Sequence, residues 1–178
     1  MLGWPPDGPT LRLDHEQFSY AGKFVMSSTG KAVVREGEDV LGAVAFNEDR
    51  TDADRLWLRY VTVRKDRRGE GLGARLAAVT ARRARDRGYD RVAIAVNNPF
   101  AYEAFWKAGF GYTGEETGIA ELVLELPVDR DPGTYQAGFD VFRDRDLSSD
   151  EESFLAKREG ATPPAVVDSP TVDGAGDA

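Results

Sequence analysis

The run Val61-Thr62-Val63-Arg64-Lys65-Asp66-Arg67-Arg68-Gly69-Glu70-Gly71-Leu72-Gly73-Ala74-Arg75-Leu76 constrains this chain more than any other stretch. A β-branched segment stops, a basic turn follows, and three glycines at alternate positions open a helical pattern. The first backbone amides of a helix have no intrahelical acceptor, and they point outward together at the positive end of the helix dipole. Glycine removes the Cβ that would keep a diphosphate away from that backbone. The sequence therefore predicts an anion cradle between a strand and a helix.

On either side of this turn the apolar periodicity predicts a mixed α/β sheet. Residues 31–36 and 40–47 read as strands joined by the acidic turn Gly37-Glu38-Asp39, and 55–63 as the strand that enters the cradle. Leu11 to Leu13 reads as a further short strand. A helix is predicted over 71–87, with Leu72, Leu76, Val79 and Ala84 on one side, Arg75, Arg82, Arg85 and Arg87 outside, and Gly88 as its stop. Residues 91–96 form a buried strand by length and composition, and Asn98-Pro99 starts a second helix that ends by Gly109. Phe110 to Tyr112 and Ala120 to Leu126 close as a hairpin. The domain reading is a flexible N-terminus over 1–9, a catalytic-type domain over 10–127, an extension over 128–159 that docks on it, and a disordered tail over 160–178. Within the extension, 128–134 reads as a linker, Tyr135 to Phe142 as apolar docking surface, and Ser148 or Ser149 as the cap of a short helix.

Composition removes several chemistries. The chain of 178 residues has no cysteine and a single histidine, His15, so it carries no disulfide framework, no thiolate nucleophile and no histidine-rich or thiolate metal centre. No 18-residue apolar run occurs, and the start Met1-Leu2-Gly3-Trp4-Pro5-Pro6 is unlike a signal peptide, so the sequence predicts a soluble, cytoplasmic protein without membrane partners. A net charge of −8 argues against a nucleic-acid binder. Acidic excess with only Lys23, Lys31, Lys65, Lys107 and Lys157 fits a high-salt, halophile-like cytoplasm, although it also attracts cationic amines.

Taken alone, the glycine turn is a tight connection, a nucleotide site or a coenzyme site. It is neither the phosphate loop that ends in Gly-Lys-Ser/Thr nor the dinucleotide G-x-G-x-x-G, because Gly69, Gly71 and Gly73 alternate. Asn98 taken alone is a helix cap. Together the pieces resemble the GCN5-related N-acetyltransferases (GNAT proteins). Arg68-Gly69-Glu70-Gly71-Leu72-Gly73 matches that family's coenzyme A signature of Gln or Arg, two residues, Gly, one residue, Gly or Ala. Downstream, Asn98, Ala101, Phe105, Gly109 and Phe110 follow its Asn, Ala and aromatic-x-x-x-Gly-Phe pattern. The resemblance spans residues 41–126, and it implies a GNAT-like acyl-CoA N-acyltransferase fold whose central strands, 55–63 and 91–96, splay apart. It implies acetyl-CoA as cosubstrate and no metal. The backbone of Arg68, Gly69, Glu70, Gly71, Leu72, Gly73 and Ala74 would hold the pyrophosphate; the main chain of Val61, Thr62 and Val63 would pair with the pantetheine arm, and Asn98 would contact that arm.

The implied reaction is direct acetyl transfer to a primary amine in a ternary complex, the acceptor being a small molecule or a protein amine and the enzyme a monomer or homodimer. An acyl-cysteine intermediate is excluded by composition. The chain departs from the family where many members carry a proton-donating tyrosine: that position is Phe105. Trp57 stands where some members carry a glutamate base. Tyr102, one helical turn before the phenylalanine, and Tyr60 are substitute donors to be weighed, and His15 has no orienting partner nearby. No general acid or base is assigned. Trp57, Arg59 and the extension Tyr135 to Phe142 are candidate walls for the acceptor. A non-catalytic acyl-CoA sensor of the same fold is the competing reading.

Overall fold

The apolar runs become six strands of one mixed sheet in a computed structural model that describes residues 1–6 and 8–168. The strands are β1 (Gly30–Glu36), β2 (Asp39–Glu48), β3 (Arg55–Val63), β4 (Arg91–Val96), β5 (Gly111–Thr117) and β6 (Glu121–Leu126). They lie in the order β1-β2-β3-β4-β6-β5, antiparallel throughout except for β3 beside β4. The described residues also form four α-helices, α1 (Leu72–Asp86), α2 (Pro99–Lys107), α3 (Pro132–Arg143) and α4 (Ser149–Ala156), and two short 3-10 turns, Ala21–Val25 and Lys65–Arg67. Among the described residues, no helix is long and apolar enough to cross a membrane.

One sheet face carries Leu56, Leu58, Val92, Ile94, Leu122 and Leu124 against α1 and α2. The buried stripe of α1 is built largely of alanines (Ala74, Ala77, Ala78, Ala81, Ala84) with Leu76 and Thr80, small side chains that bring the helix close to the sheet. Leu72 and Val79 are only half-buried, at the edge of the predicted stripe. Gly88, at φ +101°, ends the helix in the left-handed conformation that glycine adopts without strain. On the opposite sheet face, Ala43 and Ala45 are covered by Leu11 and Phe24 from the N-terminal segment. Leu11 to Leu13 is not a strand: its one backbone bond in this cover runs from Leu11 N to Phe24 O, 3.0 Å.

Three stretches read from composition as loose are tied down. Leu2 N donates to Lys31 O, Lys31 N donates to Gly3 O, and Trp4 sits edge-on to Phe46 with Arg87 stacked above it. The Lys31 ammonium is buried and donates to the carbonyls of Met26 and Thr29 and to Thr29 Oγ1, while burial lowers its pKa. The predicted linker over 128–134 already contains the start of α3: Asp131 accepts from Thr134 N at 3.0 Å as the N-cap, and Pro132 takes the first helical position. Residues 160–168, assigned to the tail, turn at Gly160 and then lie over the domain without regular structure, with Val167 N donating to Lys107 O and Val167 and Ala161 packed on the core. Those apolar anchors distinguish them from a solvated tail; residues 169–178 lie outside the described part.

Candidate functional site

β3 and β4 pair only from Arg55 to Leu58 against Arg91 to Ile94. Beyond that point β3 remains bonded to β2, with Val61 opposite Val44, Thr62 opposite Ala43 and Val63 opposite Gly42, while among the described residues no strand lies beside its other edge. An extra residue in β3, Arg59, marks the place, because Ala45 pairs with Tyr60 and Phe46 with Leu58. A bulge re-aims side chains and increases local twist, which helps to open the split. Open main-chain N–H and C=O groups on β3 form a template for an extended ligand.

The glycine turn lies where β3 passes into α1. Gly71 is the N-cap of α1 at φ +77°, and no side chain caps the helix. The amides of its first turn therefore have neither an intrahelical acceptor nor a cap. A Cβ built on Gly69 or Gly71 meets nothing within 4 Å, so the space above both is open. Gly73 is in ordinary helical conformation and its Cβ would touch Val63 at 3.4 Å. Around this turn opens a groove of about 870 Å³ lined by Val63, Arg67, Arg68, Gly69, Gly71, Leu72, Gly73, Ala74 and Asn98. Of the residues expected there, Glu70 faces solvent and pairs with Arg67, which holds its carboxyl below its usual range. Val61 packs into the core, and the Thr62 side chain is buried. These two can reach a ligand only through their backbone.

Asn98 Oδ1 accepts from Ala101 N at 2.9 Å, so it caps α2 and also faces the groove. The rest of the groove wall was not identified from the sequence. Phe100, Glu103, Ala104 and Lys107 form an i, i+3, i+4, i+7 stripe on α2, and Ser148, Glu151, Phe154 and Arg158 face them from α4 and the chain just beyond it. The stripe spacing was a usable signal; nothing in the sequence announced where α4 would dock. The two sides are clamped. Phe100 and Phe154 stack edge-to-face at 4.6 Å, and the largely buried Glu103 receives Arg158 Nη2 at 3.0 Å and Lys107 Nζ at 2.8 Å. Desolvation pushes the Glu103 pKa up, but the hydrogen bonds from Arg158 and Lys107 outweigh it and hold the carboxyl ionised below its ordinary range. Arg67 is held by Glu70 and Glu36, and Arg68 Nη2 donates to Ser19 Oγ at 2.7 Å.

The substitute proton donors are not equally placed. Tyr102 is fully buried, and its hydroxyl donates to Tyr135 O at 3.1 Å beneath α3. A Cβ on Gly138 would stand 2.1 Å from that oxygen, which shows how closely α3 seals it. Burial pushes the Tyr102 pKa well above its ordinary value, so a packing role replaces the donor role considered for it. Phe105 is buried against Phe110. The extension Tyr135 to Phe142 is core on α2 and β5, not a wall of the acceptor space: Tyr135, Phe139 and Phe142 surround Tyr102. His15 lies exposed in an N-terminal turn. Tyr60, Trp57 and Arg59 line a smaller cavity at the β3–β4 split. Among the described residues, no group of three or more His, Cys, Asp or Glu side chains is placed to hold a metal ion.

Comparison with known proteins agrees with this geometry. The family model described as Acetyltransferase (GNAT) family matches residues 3–112. No curated protein matches the chain. Among solved structures, a GNAT-family protein from Desulfovibrio desulfuricans aligns at TM-score 0.50 with 16% identity, covering 55% of this chain and 68% of its own. An N-acetyltransferase from Staphylococcus aureus aligns at 0.49 with 20% identity, covering 55% and 67%. An acetyltransferase from Bacillus subtilis, solved in complex with CoA, aligns at 0.49 with 17% identity, covering 57% and 78%. At these identities the Desulfovibrio likeness speaks for the fold alone.

Proposed function

The chain belongs to the acetyltransferase (GNAT) family, and on that premise we propose that it transfers an acetyl group from acetyl-CoA directly to a primary amine in a ternary complex. The observation that carries this reading is the coincidence of three features: uncapped first-turn amides of α1, open space above Gly69 and Gly71, and a β3 edge without a neighbouring strand. In the proposal the amides from Arg68 to Ala74 hold the pyrophosphate, and the main chain of Val61 to Val63 pairs with the pantetheine arm. Asn98 borders that arm, and the thioester lies in the split between β3 and β4. The α2 and α4 walls enclose the distal part of the coenzyme. We assign the work to the cytoplasm.

The amine nitrogen attacks the thioester carbonyl, the tetrahedral oxyanion is stabilised by a main-chain amide, the C–S bond breaks with its electron pair on sulfur, and the nitrogen gives up a proton to that thiolate or to solvent. A thiol of pKa near about 8.5 departs as thiolate without an acid, so Phe105 does not prevent turnover. The incoming amine must be neutral. An α-amino group, more acidic than a lysine side chain near about 10.4, meets that condition with less help, and the carboxylate beside Trp57, Asp49, is held far below its usual range by the hydrogen bonds it accepts, which makes it a poor base for the latter.

Phe105 and the sealed Tyr102 together favour one competing reading, an acyl-CoA-binding module without turnover. Titration calorimetry with acetyl-CoA, run beside transfer of labelled acetyl groups to a panel of amines, separates the two. Binding accompanied by transfer supports the enzyme; tight binding with no transfer to any amine overturns it in favour of the sensor.

A further inference from the structure

On the sheet face opposite α1, the split between β3 and β4 opens into a cavity of about 320 Å³ walled by Trp57, Arg59, Tyr60, Ala95, Thr117 and Glu121. This size is at the lower end for a small-molecule site. Its neighbourhood is rich in charge, and nearly all of it is neutralised in place. Arg55 pairs with Asp49 at 2.7 Å and with Glu125, and Arg91 pairs with Asp52 and Glu125. Asp49 is saturated: it accepts from Thr51 N and Oγ1 on one oxygen and from Arg55 and Trp57 Nε1 on the other. Those bonds, led by the Thr51 amide and the Trp57 indole, hold its carboxyl far below the usual range.

Arg59 and Glu121 are the exceptions. Among the described residues neither has an ion pair, and they do not pair with each other across the cavity. Arg59 is nonetheless fixed in position. Its Nε donates to Asn47 Oδ1 at 2.6 Å, and its guanidinium lies over the Trp57 ring at 5.2 Å, with Arg55 over the same ring. Both restraints leave the Nη edge of the fork open. Desolvation draws the Arg59 pKa down by more than the charge of nearby Asp49, already bonded to Arg55 and Trp57, raises it. A planar guanidinium with its Nη edge open is matched by a carboxylate, which it binds in a bidentate manner. Glu121, at the start of β6, supplies the opposite charge on the far wall.

We propose that the acceptor is a free amino acid, its carboxylate received by the Nη edge of Arg59 and its ammonium group drawn in beside Glu121. The proposal rests on the acetyl-transfer reading above and names its acceptor class. In the reaction the ammonium loses one proton to solvent, the neutral amine forms the N–C bond, the C–S bond breaks with its electron pair on the coenzyme sulfur, and the second proton on nitrogen passes to that thiolate or to solvent, leaving a neutral amide. The product keeps its carboxylate and loses its positive charge, so it no longer answers Glu121, which favours release.

The test uses the full chain with acetyl-CoA and measures thiol release with the common L-amino acids and with their carboxamides. At least one amino acid should be used with kcat/KM about tenfold or more above its own carboxamide, the scale of one charge-assisted bidentate contact. Arg59→Met should bring that ratio to about one, mainly through KM, Arg59→Lys should restore part of it, and Glu121→Gln should raise KM for acid and amide alike. Calorimetry should find acetyl-CoA affinity unchanged in all three variants, which also shows that they are folded. Carboxamides or peptide N-termini used as well as free amino acids, a ratio unmoved by Arg59→Met, or acetyl-CoA binding without transfer to any amino acid would each overturn the proposal. Absence of acetyl-CoA binding would remove the donor reading as well, so the two failures are distinct.

Discussion

The two sides of the β3–β4 split are made of different material. The groove beside α1 works through backbone: uncapped amides, a bare strand edge and glycines with nothing above them. The cavity on the other side offers side chains instead: Arg59 on β3, held by Trp57 and Asn47, and Glu121 on β6, with β4 between the two strands. A backbone site recognises what all members of a donor class share, whereas a side-chain site discriminates. On the proposed reading, the contrast explains how one glycine spacing can specify the donor while leaving the acceptor open.

The far wall of the groove is the part of the comparison most exposed to attack, because α4 is carried on α3. Phe139→Ala should cost about 3–5 kcal/mol by urea unfolding, the range for removing a fully buried phenylalanine. It should weaken coenzyme affinity only through loss of folded protein. Next in size, Gly71→Ala adds a Cβ above the cradle at φ +77°. Coenzyme affinity should fall about a hundredfold by calorimetry, while unfolding free energy changes by only about 1 kcal/mol. Equal losses in both quantities would mean that the glycine serves the turn and not a ligand.

A smaller effect separates structural charge from ligand charge. The Glu103 pKa is lowered in the folded chain, so the stabilisation it brings is present above its unfolded value, near about 4.5, and is lost as pH falls through the folded value. Glu103→Gln should cost about 1–3 kcal/mol near neutrality and flatten that acid limb of the stability profile. Smallest of all, Tyr102→Phe removes the hydroxyl bonded to Tyr135 O and should cost about 1 kcal/mol with kcat unchanged. A large fall in kcat at unchanged stability would restore tyrosine as the proton donor.

The backbone side was legible because its signals are local. Val63, Gly71 and Asn98-Pro99 each state their conformation within a few residues, and β3, β4 and α2 run as their patterns predict. The same Asx-Pro signal at Asp131-Pro132 was masked by the acidic, Pro/Gly-rich composition around it, although it starts α3 as Asn98-Pro99 starts α2. Tyr102 shows the opposite failure. Helical spacing placed it one turn from the tyrosine position of the family, but its burial depends on Gly138, more than thirty residues away. The Arg59–Glu121 cavity and the α4 wall are likewise products of tertiary packing between distant segments, which no local window contains. Residues 160–168 dock through Ala161 and Val167, too few apolar groups to stand out from a polar tail.

The central claim is that main-chain amides just past β3 grip the diphosphate of the donor. Amide ¹H–¹⁵N spectra of the full chain, recorded during titration with coenzyme A and separately with pantetheine, test it directly. The account predicts large shifts at Gly71, Leu72, Gly73 and Ala74 with coenzyme A and much smaller ones with pantetheine, which lacks the diphosphate. Unmoved amides at these four positions, with coenzyme A bound elsewhere or not at all, would contradict it.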